Sequence, residues 1–160
     1  VTQDEVRAAF VYEGDTGRLR KVLNARKPYP WRPGGSGKNY LLGSFKGATV
    51  YAHRLVWFYH YGWWPKMLDH VDGDPSNNRI ENLRECSAAQ NNYNSVVKTN
   101  NKCGFKGVLF IARLPYRPWQ AYIRVNHRQI ILGYFPSAEA ASAAYAAGAR
   151  KYAKEFARAD

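Results

Sequence analysis

From Asp69 to Asn94 the chain reads DHVDGDPSNNRIENLRECSAAQNNYN, and this stretch limits what the rest can fold into. Asp72–Arg79 sets Asp, Gly, Pro, Ser and Asn side by side, residues that favour turns and compete with helix and ladder hydrogen bonds. That segment must be a loop. Lys66–Val71 before it reads as a strand, and Ile80–Arg84 after it as a short strand or turn. Ser87-Ala88-Ala89-Gln90 is a capping box that starts a helix running to about Val96. The unit is therefore strand, loop, strand, helix. At its head stands a carboxylate beside an imidazole, Asp69-His70, followed by a row of amides.

These residue types suit phosphodiester hydrolysis. A base must take a proton from water near neutral pH, and histidine does this most readily. A divalent cation must neutralise charge on the phosphate and the leaving oxygen. Hard cations such as Mg²⁺ want oxygen ligands and keep several waters, so Asp69 and an amide oxygen from the following helix could supply two ligands. Adjacent strand residues point to opposite faces, so the pair shares a site only where the strand bends or twists. An EF-hand reading fails: counted from Asp72, Asn77 stands at the glycine position and Leu83 at the glutamate.

The full pattern, D-H-x-D-G-D-x-x-N-N-R-x-x-N-L-R followed by Q-N-x-x-N, resembles the HNH (ββα-metal) nucleases, and the phage homing-endonuclease branch in particular. The likeness extends upstream through H-R-L-V-W at 53–57 and covers about residues 40–94. It implies that His70 is the general base and Asp69 a metal ligand. Asn82 would brace the loop and orient the histidine, and Asn91 would be the second ligand, with Asn92 its nearest competitor. Asn77, Asn78 and Arg79 match loop positions that are mainly structural, Arg79 with a possible phosphate contact. His53 matches a structural residue at a helix start. The family uses one divalent ion, Mg²⁺ or Mn²⁺, and leaves 5′-phosphate and 3′-hydroxyl ends. No structural zinc is expected, because the four-cysteine pattern of some relatives is absent.

Charge points to the same partner. Residues 1–50 carry 9 Lys and Arg against 4 Asp and Glu, residues 51–102 carry 6 against 5, and residues 103–160 carry 9 against 3. Two basic flanks bracket a nearly neutral middle, as a polyanion binder would. Upstream, Thr2–Glu5 is a capping box opening a helix to about Phe10. A turn at 13–17 joins strands near 10–12 and 18–23. Residues 24–39 read as a basic linker or exposed loop. Tyr40–Phe45 and Thr49–Ala52 form a hairpin, and His53 to about Tyr61 a buried helix.

Beyond the polar 97–103 stretch, Gly107–Ala112, Trp119–Val125 and Gln129–Phe135 look like three antiparallel strands. Ser137 caps an Ala-rich helix to about Phe156, with Leu132 and Phe135 packing on Ala140, Ala144 and Tyr145. G-F-K-G-V, W-Q-A-Y-I-R-V and L-G-Y-F-P-S-A-E-A-A-S-A-A-Y resemble the Apetala-type DNA-binding domain, whose sheet enters the major groove. The resemblance implies DNA contacts from Lys106, Arg113, Arg117, Trp119, Arg124 and Arg128. Leu109 departs from it, because the plant pattern has an arginine after G-V.

The expectation is an α+β chain: an N-terminal segment 1–39, an HNH unit 40–96, a linker 97–103 and a DNA-binding module 104–160. The partner would be double-stranded DNA, met by a monomer or a dimer. The alternative function is a non-catalytic DNA-binding regulator on an inactive nuclease scaffold. Cys86 and Cys103 have no zinc or disulfide-framework spacing and suit free thiols in a reducing cytoplasm, a bacterial host's if the chain is phage-encoded. No apolar run approaches the roughly 18 residues of a membrane span, and the first residues lack a signal peptide's apolar stretch.

Overall fold

Thr2 caps the first helix, α1 (Gln3–Ala9), by the reciprocal bonds of its capping box: Glu5 N–H donates to the Thr2 hydroxyl, and Thr2 N–H to the Glu5 carboxylate. The structure, a computed structural model, describes residues 1–24, 29–34, 39–95, 97, 101, 103–125 and 128–153. It divides into two units, Val1–Cys86 and Ser87–Asp160.

In the first unit, α1 leads into an antiparallel hairpin of β1 (Phe10–Glu13) and β2 (Arg18–Lys21). Val6, Phe10 and Leu19 are fully buried. The second strand ends earlier than expected, because Val22–Asn24 forms a single 3₁₀ turn.

The 24–39 segment is not all linker. Residues 25–28 and 35–38 lie outside the described residues, but between them β3 (Arg32–Gly34) pairs with β4 (Tyr40–Phe45), which pairs with β5 (Ala48–Tyr51). The cause is aromatic. Tyr29 is buried in the core, its hydroxyl donates to Ser44 O and accepts from Ser44 N–H, and Trp31 Nε1 donates to Leu19 O at 3.1 Å. A Cβ at Gly43 would lie 2.5 Å from the Tyr29 ring, so the glycine makes room for it. The β4–β5 turn has positive φ at both Lys46 and Gly47, which matches the twist of a tight hairpin.

Helix α2 (Ala52–Tyr61) buries Leu55, Val56, Trp57 and Phe58 and ends on Gly62 in the left-handed conformation. Its last carbonyls are satisfied from α1: Gln3 and Arg7 side chains donate to Tyr59 O and His60 O. Leu68 and Leu83 join the same core from β6 (Leu68–His70) and β7 (Leu83–Glu85), which pair antiparallel.

The second unit opens with α3 (Ala88–Asn94), capped by Ser87 and Gln90 as expected, though it stops at Asn94. Strands β8 (Val108–Phe110), β9 (Trp119–Val125) and β10 (Arg128–Phe135) form an antiparallel sheet in the order β10-β9-β8. A bulge at Leu132 shifts the register between Ile131 and Gly133. Helix α4 (Ala138–Ala153) covers one face; the residues expected to extend it lie outside the described ones. Val108, Ala121, Leu132 and Phe135 pack with Ala141 and Ala144, so Ala141, not Ala140, is the fully buried small residue.

Gly107 joins this sheet to the helix. Its φ is +65°, and a Cβ there would lie 2.1 Å from the Tyr145 ring and 2.6 Å from Tyr122 O. Gly104 has a similar φ, +74°, but open space around it. Gly107→Ala should therefore cost the second unit more than about 2 kcal/mol in a urea titration, against about 1 kcal/mol for Gly104→Ala.

Candidate active site

Asp69 and His70 sit side by side on β6, and both are buried. The pairing places Asp69 opposite Arg84 and His70 opposite Leu83. The alternation of a strand then separates their surroundings.

The Asp69 carboxylate accepts from Arg84 Nε at 3.0 Å and Nη2 at 2.8 Å through Oδ2. Nearby, burial and then the Asp69 charge push the Cys86 thiol up to about 11, so it stays protonated. His70 Nε2 lies 3.0 Å from Asn78 Oδ1, a buried amide. Its ring packs beside those of His53 and Tyr40, at 5.3 and 5.9 Å between centroids.

Asn82 does its work one step away. Its Oδ1 accepts from Asp72 N–H at 3.1 Å, and its Nδ2 donates to Asp72 Oδ1 and Asn77 O at 2.9 and 2.8 Å. Asn77 Nδ2 closes the ring by donating to Asp72 Oδ2 at 2.7 Å. Burial works to raise the Asp72 carboxyl, but bonds from Asn77, the Asp74 backbone and Asn82 outweigh it and hold the group below its ordinary range. Asn82 thus ties Asp72 to Asn77. Asn78, which sequence reasoning had left as structural, bonds the imidazole.

The loop is also propped from the first hairpin. Arg79 Nε donates to Asp15 O at 2.8 Å, and Ile80 N–H to the Tyr12 hydroxyl at 2.9 Å. Gly17 (φ +66°) lies so close beneath that a Cβ would stand 2.3 Å from Arg79 N.

Other predicted residues fall as follows. Asn91 is half-buried and Asn92 exposed on α3, in the second unit. Lys106 Nζ donates to Tyr93 O and Ser95 O at 2.7 and 2.6 Å, tying down the end of α3. Trp119 shares the parity of Ala121 and Ile123 and packs against the core under α4, beside Phe110. Arg113, Arg117, Arg124 and Arg128 are exposed.

Residues 50–93 match the family model for HNH endonucleases. That supports a nuclease of the HNH type. The matched stretch contains the β6–loop–β7 site and most of α3. No curated protein and no solved structure matches the chain.

HNH nucleases typically use a divalent metal ion. Among the described residues no three His, Cys, Asp or Glu side chains group together as ligands. Asp69 is a buried carboxylate with Arg84 against it. A carboxylate oxygen is a hard donor, the kind that an ion of the Mg²⁺ type takes. No helix among the described residues is long and apolar enough to cross a membrane.

The sequence could have revealed Arg84 through its register opposite Asp69. His53 was harder to read. Its ring packs with Tyr40, Tyr51 and His70, and its Nδ1 is buried with no hydrogen-bond partner among the described residues. Burial, with smaller contributions from His70 and Arg54, pushes its pKa down to about 3. The unfolded chain therefore binds this proton first. The neutral ring's stabilisation is complete above about pH 6.5 and is lost as pH falls toward 3. By pH 4 the loss should be on the order of 3 kcal/mol. His53→Phe should flatten that part of the profile in urea titrations followed by tryptophan fluorescence, to which the first unit contributes Trp31, Trp57, Trp63 and Trp64.

Proposed function

We propose that this chain is a DNA endonuclease of the homing type that hydrolyses phosphodiester bonds with His70 as general base, targeted by its second unit. The carrying observation is the imidazole itself: buried, held at Nε2 by the Asn78 amide, and inside the stretch that matches HNH endonucleases.

With Asn78 Oδ1 as acceptor, the hydrogen rests on Nε2 and the lone pair on Nδ1. As the base, His70 takes a proton from the attacking water while Asn78 holds the ring. The imidazolium keeps its bond to Asn78, which stabilises the charge as it develops. Asp69, together with Asn91 from α3 as the family pattern implies, would hold one Mg²⁺ or Mn²⁺. The ion, when bound, supplies positive charge to the phosphate and the leaving oxygen. Arg84 orients the buried Asp69 carboxylate and offsets its charge. The products are 5′-phosphate and 3′-hydroxyl ends, from a monomer that nicks or a dimer that cuts both strands.

The second unit supports targeting by its build, three strands on one helix, as in the Apetala-type domains it resembles. We assign its DNA contacts to Arg113, Arg117, Arg124 and Arg128, and structural roles to Arg79, Lys106 and Trp119. Such an enzyme would work in the cytoplasm, a bacterial host's if it is phage-encoded.

One contact favours a second reading, a non-catalytic DNA-binding regulator: Arg84 already neutralises Asp69. Plasmid cleavage separates the two. With Mg²⁺ the intact chain should nick or cut, and chelator should stop it. His70→Ala and Asp69→Ala should each lower the rate by at least about 100-fold with circular dichroism unchanged, and Asn78→Ala by less. Cleavage that survives His70→Ala overturns the base assignment. An intact chain that binds duplex but cuts nothing with Mg²⁺ or Mn²⁺ is the regulator.

A further inference from the structure

The face of the second unit's sheet turned away from α4 carries large apolar side chains in the open. In register, Leu109, Gln120 and Tyr134 form one row across β8, β9 and β10. Tyr122 and Ile131 form the next row, and Arg124 and Gln129 the third. Gln120 Nε2 donates to the Tyr134 hydroxyl at 2.9 Å, so the first row is joined across the strands. Leu109 is 50% exposed and Ile131 51%. Burying neither serves this unit's own core, which lies on the other face with Val108, Ala121 and Leu132.

The setting of this strip selects its partner. No Asp or Glu occurs between Ser87 and Ala138. Exposed arginines stand beside the strip, Arg113 and Arg117 in the β8–β9 connection and Arg124 in its third row, while Arg128, paired with Val125, falls on the other parity. An apolar strip framed by guanidinium groups, with no carboxylate among them, complements a surface with apolar groups between two rows of anions. The major groove of duplex DNA has that layout, with phosphates along its walls and thymine methyl groups on its floor. Its width, about 12 Å, admits strands that lie two spacings, about 10 Å, apart.

We propose that Leu109 and Ile131 read thymine by packing on its C5-methyl group, so that this sheet selects A·T-containing sites. This rests on the reading of the second unit as a DNA-binding module. An aliphatic side chain offers no partner to the acceptors of guanine or the amino group of cytosine, so a G·C pair beneath it loses its water without compensation.

Uracil tests this directly, because it pairs as thymine does and lacks only the methyl group. Random-sequence duplexes are selected for binding to the intact chain in chelator, then resynthesised with uracil in place of thymine, and both forms are titrated at one salt concentration. The uracil duplexes should bind about fourfold more weakly for each methyl lost, about 15-fold for two contacts. The double variant Leu109→Asn, Ile131→Asn, whose changes are at exposed positions, should bind both forms equally. Arg124→Ala should weaken both by the same factor and leave the discrimination intact. Equal affinity of the intact chain for both forms overturns methyl reading and leaves the DNA-binding module standing. Failure to bind any duplex overturns the module assignment as well.

Discussion

A polar loop can hold an imidazole still only if something holds the loop, and here one buried amide does so. Asn82 uses both ends of its side chain, accepting from the Asp72 backbone and donating to the Asp72 carboxylate and the Asn77 carbonyl. The polar groups of Asp72, Asn77 and Asn82 are thereby locked into one arrangement. Asn78 then stands where it can reach His70. Buried networks of this kind are strong when complete and costly when broken, because each lost partner leaves another group desolvated. The placement of the His70 ring thus depends on Asn82, which bonds the loop and not the ring.

Much of this was legible in the sequence because local chemistry dictates it. Thr2 and Ser87 make the capping boxes their spacing predicts. The turn-forming run after His70 is a loop, and Lys46-Gly47 turns a hairpin. What was not legible depends on long-range packing. Tyr29 sits among prolines, glycines and basic residues that mark a linker, yet burial of its ring brings β3 into the sheet. Asn78 is one of two neighbouring asparagines, and only the folded loop distinguishes the one that is 3% exposed. Trp119, a DNA contact by the resemblance, shares the parity of Ala121 and Ile123 and packs against the second unit's core.

The two halves of the site handle charge in opposite ways. Asp69 is buried with a guanidinium against it, which repays part of its desolvation. His53 and His70 are adjacent aromatic rings, and burial keeps His53 neutral. A charged His53 would oppose protonation of the ring beside it, so a neutral neighbour suits the role proposed for His70.

The prop beneath the loop has a wider consequence. Arg79 and Ile80 are held by Asp15 and Tyr12, and the turn at Gly17 presses against the Arg79 backbone. Those three partners come from the first hairpin, outside the stretch at 50–93 that matches HNH endonucleases. The matched segment is therefore not a self-contained cassette. Grafted elsewhere without its first twenty or so residues, it would carry the right side chains on a floor that no longer holds them level.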